Sequence, residues 1–291
     1  MSIDHLHEKV RKLKNPSVVD FSLKADCVPA HLIEQEGSFL GGYLRFCREL
    51  MAGLKGIVPA VRFSMGRFAL LGPEGLNGLR TLLTEAKEHG FYVLLDGPEI
   101  LSPWDADCIA ETVFGGTQYP CDGLIISPYI GTDAIKPFVP YCKNQQKDLF
   151  VVLRSPNKTA ADLQDLMSGS RLVHQAAADL VNRHGESIEA KCAYSRICGV
   201  VSAGNANSIR NIRNNYRGMY LLVDGLDYPS GNHKNCSHAF DQFGFGAAVC
   251  AGPSVTAAWK EAESDGTDYV EQAKLAAERM KKNLLRYITV L

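Results

Sequence analysis

Residues 74–96 read EGLNGLRTLLTEAKEHGFYVLLD and contain both halves of a unit that recurs along the chain. In the first half, leucines recur at helical spacing over Leu76–Leu83, and Gly90 follows as a residue that commonly ends a helix. The second half, Tyr92–Asp96, is apolar on both faces, as strands of a covered parallel sheet are. This segment therefore predicts a helix over 74–89 followed by a buried strand.

The same alternation extends over the whole chain. Further helices are predicted over 39–54 and 269–288, and Asp268 and Glu271 have the spacing of a capping box at the start of the second. Short apolar runs predict eight strands: Ser17–Phe21, Ile57–Phe63, Tyr92–Asp96, Gly123–Ser127, Leu149–Leu153, Cys198–Ser202, Met219–Asp224 and Gly246–Cys250.

Eight alternations of strand and helix predict an α/β fold, a single (β/α)8 TIM-type barrel domain over residues 1–291. A doubly wound open sheet is the alternative fold. The segment 160–193 is too long for one crossover, so we expect an extra helical insertion there, with one extended helix or two packed helices.

Composition excludes several classes of protein. Apolar residues make up 46% of the chain, which is enough for a large core and excludes overall disorder. Lys and Arg number 31 against 32 Asp and Glu, and this balance argues against a dedicated nucleic-acid binder. The sequence has neither an apolar run of transmembrane length nor a signal-peptide core, so a cytoplasmic location is expected. Nine scattered cysteines without a C-x-x-C pair predict reduced core thiols.

In such a barrel, the active site lies where the strands end at their carboxyl side. The predicted strands end in a polar and mixed set of residues: Ser22, Arg62, Asp96, Ser127, Tyr129, Arg154, Asn157, Ser202, Gly204, Asp224, Gly225, Gly252 and Ser254. This set includes two arginines and, in Asp96, a carboxylate at a well-defined strand end.

The order of motifs resembles the longer bacterial subfamily of the orotidine 5'-phosphate decarboxylases, from Leu6 to Trp259. The matching strings include NPSVV near residue 15, VPAV before Arg62, YVLLDG ending at Gly97, SPYIGTD at 127–133, LFVVLRSPN at 149–157 and LLVDG at 221–225. The resemblance implies a (β/α)8 barrel, usually a homodimer with active sites at the subunit interface. It also implies conversion of orotidine 5'-monophosphate to UMP and carbon dioxide without a metal or organic cofactor.

The catalytic pattern of that family is altered here. The family has a lysine where this chain has Arg62, and an Asp-x-Lys-x-x-Asp pattern that falls on Asp96, Pro98 and Leu101. Arginine holds its proton too tightly to be a good acid, and proline has no side-chain proton. Asp96 and Arg62 therefore remain as the residual catalytic candidates, and the usual proton donor is missing.

The substrate contacts implied by the resemblance have changed as well. Ser22 stands where the family has a ribose-binding aspartate, and Asn157 ends a Ser-Pro-Asn segment in which the proline replaces a hydroxyl residue. Together with Tyr129, Gly225 and Ser254, these two residues are our candidates for substrate binding.

The phosphate-binding segment reads DGLDYPSG over 224–231, and Pro253 replaces an arginine before Ser254. Lost cationic contacts and the added Asp224 and Asp227 should weaken binding of a phosphate dianion by orders of magnitude. The alternatives are that the alignment with the family is shifted by a few residues, or that His233 or Lys234 substitutes for the lost groups.

We therefore expect a decarboxylase-like barrel of the pyrimidine pathway by descent, inactive or strongly impaired. Its partners would be a nucleotide or another small molecule at the barrel mouth and a second copy of the chain, or an active paralogue in a heterodimer, with no nucleic acid or membrane. One alternative is a genuine decarboxylase with a non-standard site. Another is an enzyme or binding protein for a non-phosphorylated molecule, using Asp96, Asp224, Asp227 and His233.

Two smaller groups of residues have structural interpretations. His233, Cys236 and His238 are residue types that suit Zn²⁺, but no second pair is apparent, so a solvated loop and helix start is favoured. Asp105 and Asp107 follow Trp104, where capping of the next helix is favoured over a replacement carboxylate. Asp122 precedes a strand and should lie at the opposite rim of the barrel.

Overall fold

The computed structural model describes residues 2–22 and 24–290. Eight parallel strands close into a barrel, in which β1 pairs with both β2 and β8. The strands are β1 (Ser17–Asp20), β2 (Ala60–Ser64), β3 (Tyr92–Asp96), β4 (Gly123–Ile126), β5 (Asp148–Val152), β6 (Ser195–Ser202), β7 (Met219–Asp224) and β8 (Ala247–Ala251). The predicted barrel and all eight predicted strands are confirmed.

Helices surround the barrel. They are α1 (Ile3–Leu13), α2 (Ala30–Glu36), α3 (Phe39–Leu54), α4 (Met65–Ala69), α5 (Gly72–Glu88), α6 (Pro103–Ile109), α7 (Val139–Asn144), α8 (Ala161–Gln164), α9 (Val173–Gly185), α10 (Ala206–Asn215), α11 (His233–Cys236), α12 (Pro253–Thr256), α13 (Ala258–Glu261) and α14 (Tyr269–Leu284). The predicted helix over 39–54 is confirmed at both ends. Gly90 adopts φ 82 just beyond α5, as expected of a residue that ends a helix.

Strand side chains are buried on both faces. Val18, Leu94 and Phe150 have no exposed surface, because one set of side chains fills the barrel and the other packs under the helices. At about 25 cal/mol per Å² of apolar surface, this burial is the main stabilising contribution to the fold. The carboxyl ends of the strands consequently form a rim on a rigid scaffold.

The helical insertion expected over 160–193 contains two helices, α8 and α9. Between them lies a two-stranded antiparallel ribbon, Met167–Ser168 paired with Arg171–Leu172, which the sequence did not predict. One local prediction was wrong. At α14 no capping box forms, because the carboxylate of Asp268 accepts hydrogen bonds from Ser264 and Gln272 instead of a backbone amide of the first turn.

The amino end of the barrel is closed by α1 and a buried polar network. Asp4 of α1 pairs with Arg196 at 2.9 Å, and Arg196 reaches Asp148 at 3.3 Å. The Tyr92 hydroxyl donates to Asp148 at 2.8 Å. Burial raises the pKa of Asp148 to about 8, outweighing Tyr92 and Arg196. Asp122 also lies at this end, as predicted, and accepts from the Val93 amide.

Two expectations from composition can be compared with the structure. All nine cysteines are free, and seven of them are buried, in agreement with core thiols. Over residues 2–22 and 24–290, no helix combines the length and the apolar character that crossing a membrane requires.

Candidate functional site

Arg62 lies at the barrel axis and is surrounded by carboxyl groups. It projects from β2, and its side chain is 11% exposed. One terminal nitrogen lies 2.8 Å from Asp96 Oδ2, and the other lies 3.0 Å from Asp224 Oδ2 and 3.9 Å from Asp20 Oδ2. Its Nε is buried without a hydrogen-bond partner among the described residues. The structure thus brings the two catalytic candidates, Arg62 and Asp96, into direct contact.

Asp20 is a member of this network that the sequence analysis missed. It ends β1 directly opposite Arg62 in the strand register, and its Oδ1 accepts the Ser22 amide at 2.8 Å. The predicted strand continued to Phe21, which made Ser22 the first rim residue. Asp20 and Ser22 are two residues apart and face the same side of an extended chain, so the earlier end of β1 makes Asp20 the last strand residue that faces the axis. Its place at the strand end was the available signal.

Burial and neighbouring charges act on this network in opposite directions. Burial alone would lower the pKa of Arg62, but the carboxylates of Asp224, Asp20 and Asp96 hold that pKa well above its ordinary value. Burial raises the pKa of Asp20, although Arg62 and Ser22 oppose the shift. Arg62 is consequently a fixed cation that does not donate a proton at any physiological pH.

Arg154, the second arginine at the rim, also forms an ion pair within the protein. Arg154, 9% exposed, forms a bidentate pair with Asp165, with its Nε at 3.0 Å and a terminal nitrogen at 2.7 Å from the two carboxylate oxygens. His174 contacts the same carboxylate at 3.2 Å. This ion pair anchors the insertion to the end of β5. The guanidinium group of Arg154 therefore donates its hydrogen bonds to the protein itself.

Gly225 lies on the loop after β7 and Ser254 in the first turn of α12, and Asp227 connects the two segments. The Asp227 carboxylate accepts the Gly252 amide at 2.6 Å and contacts the Ser254 amide at 3.5 Å. Gly225 has φ 80, and a Cβ there would lie 2.2 Å from Cβ of Pro156, so only glycine fits. TIM barrels frequently bind phosphate with the loops after their seventh and eighth strands. In this chain, the carboxylate of Asp227 accepts the Gly252 amide and contacts the Ser254 amide, both in the segment after the eighth strand.

In the described part of the chain, no hydrogen bond or ion pair joins Arg62 to the other substrate-binding candidates, Asn157, Tyr129 and Ser22. Asn157 is exposed and bonded to its neighbours, accepting from Ser155 Oγ at 2.7 Å and donating to Thr159 Oγ1 at 2.9 Å. Tyr129 is 78% exposed and lines an apolar groove beside α9. Ser22 lies beside Asp20 with its Oγ buried and unpartnered in the described part of the chain. Their role in binding stays a prediction.

A cavity of about 590 Å³ opens beside the mouth, between the loops after β1, β7 and β8 and helices α13 and α14. Asp227, His233 and Ser254 line it. The four residues predicted to bind a non-phosphorylated molecule therefore lie in two separate places. Asp96 and Asp224 bind Arg62 at the axis, whereas Asp227 and His233 face this outer cavity.

The remaining polar groups have structural roles. Cys236 is fully buried, whereas His238 contacts Arg210 at 2.8 Å. In residues 2–22 and 24–290, no group of His, Cys, Asp or Glu is arranged to hold a metal ion. Ser102 caps α6 and donates to Asp105 at 2.8 Å, so the capping interpretation of Asp105 is confirmed.

Comparisons with known proteins agree with this architecture. No protein-family model matches the chain. It is 25% identical over 285 residues to the orotidine 5'-phosphate decarboxylase of Clostridium novyi (strain NT), with 98% of each chain covered. It is 26% identical over 260 residues to that of Rhodopirellula baltica, with 86% of each covered.

Among solved structures, a putative orotidine-monophosphate-decarboxylase from Toxoplasma gondii has a TM-score of 0.79 at 16% identity, covering 98% of this chain and 97% of that one. This likeness concerns the fold. The resemblance found in the sequence is thus confirmed: over nearly its whole length, the chain is a homologue of proteins named orotidine 5'-phosphate decarboxylase.

Proposed function

We propose that the chain is an orotidine 5'-phosphate decarboxylase homologue whose barrel mouth does not decarboxylate orotidine 5'-monophosphate at an enzymatic rate. The observation that carries the proposal is the state of Arg62. It is the cation at the barrel axis, and it is bound by Asp96 and Asp224 at 2.8 and 3.0 Å.

Proton transfer is the first reason. A decarboxylated pyrimidine carbanion must receive a proton, and an acid with a pKa near the working pH transfers it best. Arg62 has a pKa raised well above that of an ordinary arginine. Neither Pro98 nor Leu101, which is 71% exposed, offers a proton. Losing one such group costs a factor of roughly a hundred to ten thousand in rate.

Substrate binding is the second reason. A phosphate dianion needs free cationic or amide donors, yet Arg154 is committed to Asp165, and Asp227 accepts the Gly252 amide. A charge-assisted hydrogen bond contributes roughly 1.5–3 kcal/mol, so losing two of them weakens binding by several orders of magnitude. These losses act on affinity and are independent of the missing acid.

Complementation tests this proposal. The gene is expressed in a host that lacks its own decarboxylase, on medium without pyrimidines, with the Clostridium novyi relative as the positive control. We expect no growth from this chain although it accumulates as folded protein. Growth that is lost on Asp96→Asn would contradict the proposal and favour a genuine decarboxylase with a non-standard site.

We further propose that a second copy of the chain covers one side of the mouth. Large apolar side chains are exposed in the segments that follow four neighbouring strands, β2 to β5. They are Leu70, Leu101, Trp104, Tyr129, Leu163, Leu166 and Met167, between 47% and 78% exposed. Such a concentration is typical of an interaction surface. A cytoplasmic location is part of the same proposal.

Sedimentation velocity tests the interface. We expect a dimer for the wild type, a monomer for Trp104→Asp, and an unchanged dimer for Leu275→Asp, whose 51% exposed side chain lies on α14. If the wild type is monomeric alone but binds a co-expressed active paralogue, the proposed homodimer is wrong and the same surface forms a heterodimer. A wild type that is monomeric in both experiments would refute the interface.

A further inference from the structure

The cavity beside the barrel mouth continues into a second one along α14. The first measures about 590 Å³ and the second about 250 Å³, and both are lined by His233 and Asn283. Together they form what we call the outer groove, which runs from the loop after β1 to the end of α14. Its larger lobe has the size of sites that hold small organic molecules.

One face of α14 presents unpaired donors to this groove. Arg279 and Asn283 line the larger lobe, and Asn283 and Arg286 line the smaller one. Arg279 and Asn283, spaced i and i+4, lie on one side of α14, and Arg286 follows two residues after its end. Within residues 2–22 and 24–290, none of the three side chains takes part in a hydrogen bond or an ion pair, unlike the rim arginines Arg62 and Arg154.

Most acidic groups at the groove are already occupied. Asp26 pairs with Lys260 at 2.9 Å, and Asp227 accepts the Gly252 amide at 2.6 Å. Glu261 is the exception, since it has no partner in the described part of the chain. Lys24 adds a further unpaired cation to the larger lobe. Lys24, Arg279 and Arg286 outnumber Glu261, so the charged groups of the groove that have no partner are mainly positive.

The floor of the larger lobe is apolar. Cys27, Val255 and Met280 line it and are at most 5% exposed, and Leu226 lies beside them. Apolar walls with a few converging polar groups are typical of sites for small organic ligands. Free cations above an apolar floor suit a ligand with an oxyanion at one end and an apolar body.

We propose that the outer groove binds a small organic molecule that carries an oxyanion, a phosphate or a carboxylate, held by Arg279 and Lys24. Arg62, Asp20, Asp96 and Asp224 are absent from the lining of this groove. The inference therefore goes beyond the proposed function, and an inactive mouth neither supports nor weakens it.

Calorimetric titration tests the proposal with three probes: inorganic phosphate, phenyl phosphate and benzoate. We expect saturable binding of at least one aromatic probe, tighter than binding of inorganic phosphate. If phenyl phosphate alone binds, the oxyanion is a phosphate; if benzoate alone binds, it is a carboxylate. Arg279→Gln should weaken this binding at least about 10-fold, the lower limit for a charge-assisted hydrogen bond.

Two further variants make the test specific. Arg183→Gln removes an exposed arginine on α9 and should leave binding unchanged. Lys24→Gln provides a second reduction in affinity if Arg279→Gln fails to fold by circular dichroism. The proposal is refuted if no aromatic probe binds, or if the folded groove variants bind as tightly as the wild type.

Discussion

Arg62→Met leaves the carboxyl groups of Asp20, Asp96 and Asp224 around the barrel axis without their cation. Removing one partner of a buried ion pair costs about 3–5 kcal/mol, since the remaining charge is buried without compensation. The Asp96 side chain is 33% exposed and water screens part of this effect, so we expect the lower limit, about 3 kcal/mol.

The loss should depend on pH. Burial already raises the pKa of Asp20 in the folded wild type, and removing the guanidinium raises it further. A folded carboxyl group with a raised pKa binds a proton that the unfolded chain has released, so stability falls as pH rises through that interval. The deficit of Arg62→Met should therefore be larger at pH 7 than at pH 5.

Urea unfolding at these two pH values provides the measurement. With a slope of about 2–3 kcal/mol per molar, a loss of about 3 kcal/mol lowers the midpoint by about 1–1.5 M. Arg183→Met, an exposed arginine without an ion pair in the described structure, should stay within about 0.5 kcal/mol. A loss below about 0.5 kcal/mol for Arg62→Met at pH 7, or one equal at both values, would refute the reasoning.

Three further predictions concern other parts of the barrel. Burial raises the pKa of Asp148 to about 8, so the free energy of unfolding of the wild type should fall between about pH 4 and 8. Urea unfolding of Asp148→Asn should show a weaker dependence on pH, and an equal dependence in both proteins would contradict the raised pKa. Gly225→Ala should lower the unfolding free energy by about 2 kcal/mol, since φ is 80 and the new Cβ meets Pro156. Unchanged stability there would mean that the two loops move apart freely. Asp227→Ala removes the acceptor of the Gly252 amide and should cost about 1 kcal/mol in thermal unfolding, whereas no change would show that water replaces the carboxylate.

The scaffold could be predicted from the sequence because its signals are local. Strand runs such as Tyr92–Asp96 are apolar on both faces, and α3 carries a regular apolar stripe between Ser38 and Leu54. These patterns reflect burial, which decides the fold. The insertion was predicted less well, since the ribbon of Met167–Ser168 and Arg171–Leu172 is too short to show a periodic pattern.

The candidate site could be predicted only in part. Asp96 and Arg62 were found because a strand end and a recognisable string fixed their positions. The contact of Arg62 with Asp20 and Asp224 depends on the closure of the barrel and on the register between its strands. Likewise, the commitment of Arg154 to Asp165 results from the path of the insertion. Such long-range pairings have no signature in a single sequence.

The most direct test of the central claim is a spectrophotometric decarboxylation assay with orotidine 5'-monophosphate. Protein purified from a host without its own decarboxylase is used at high concentration, and folding is checked beforehand by circular dichroism. Arg62 is held by Asp96 and Asp224, and Pro98 stands where the family pattern that the sequence resembles has a lysine, so we predict turnover indistinguishable from the protein-free control. Turnover that disappears in Asp96→Asn would contradict the account and identify the Arg62 network as a working catalytic site.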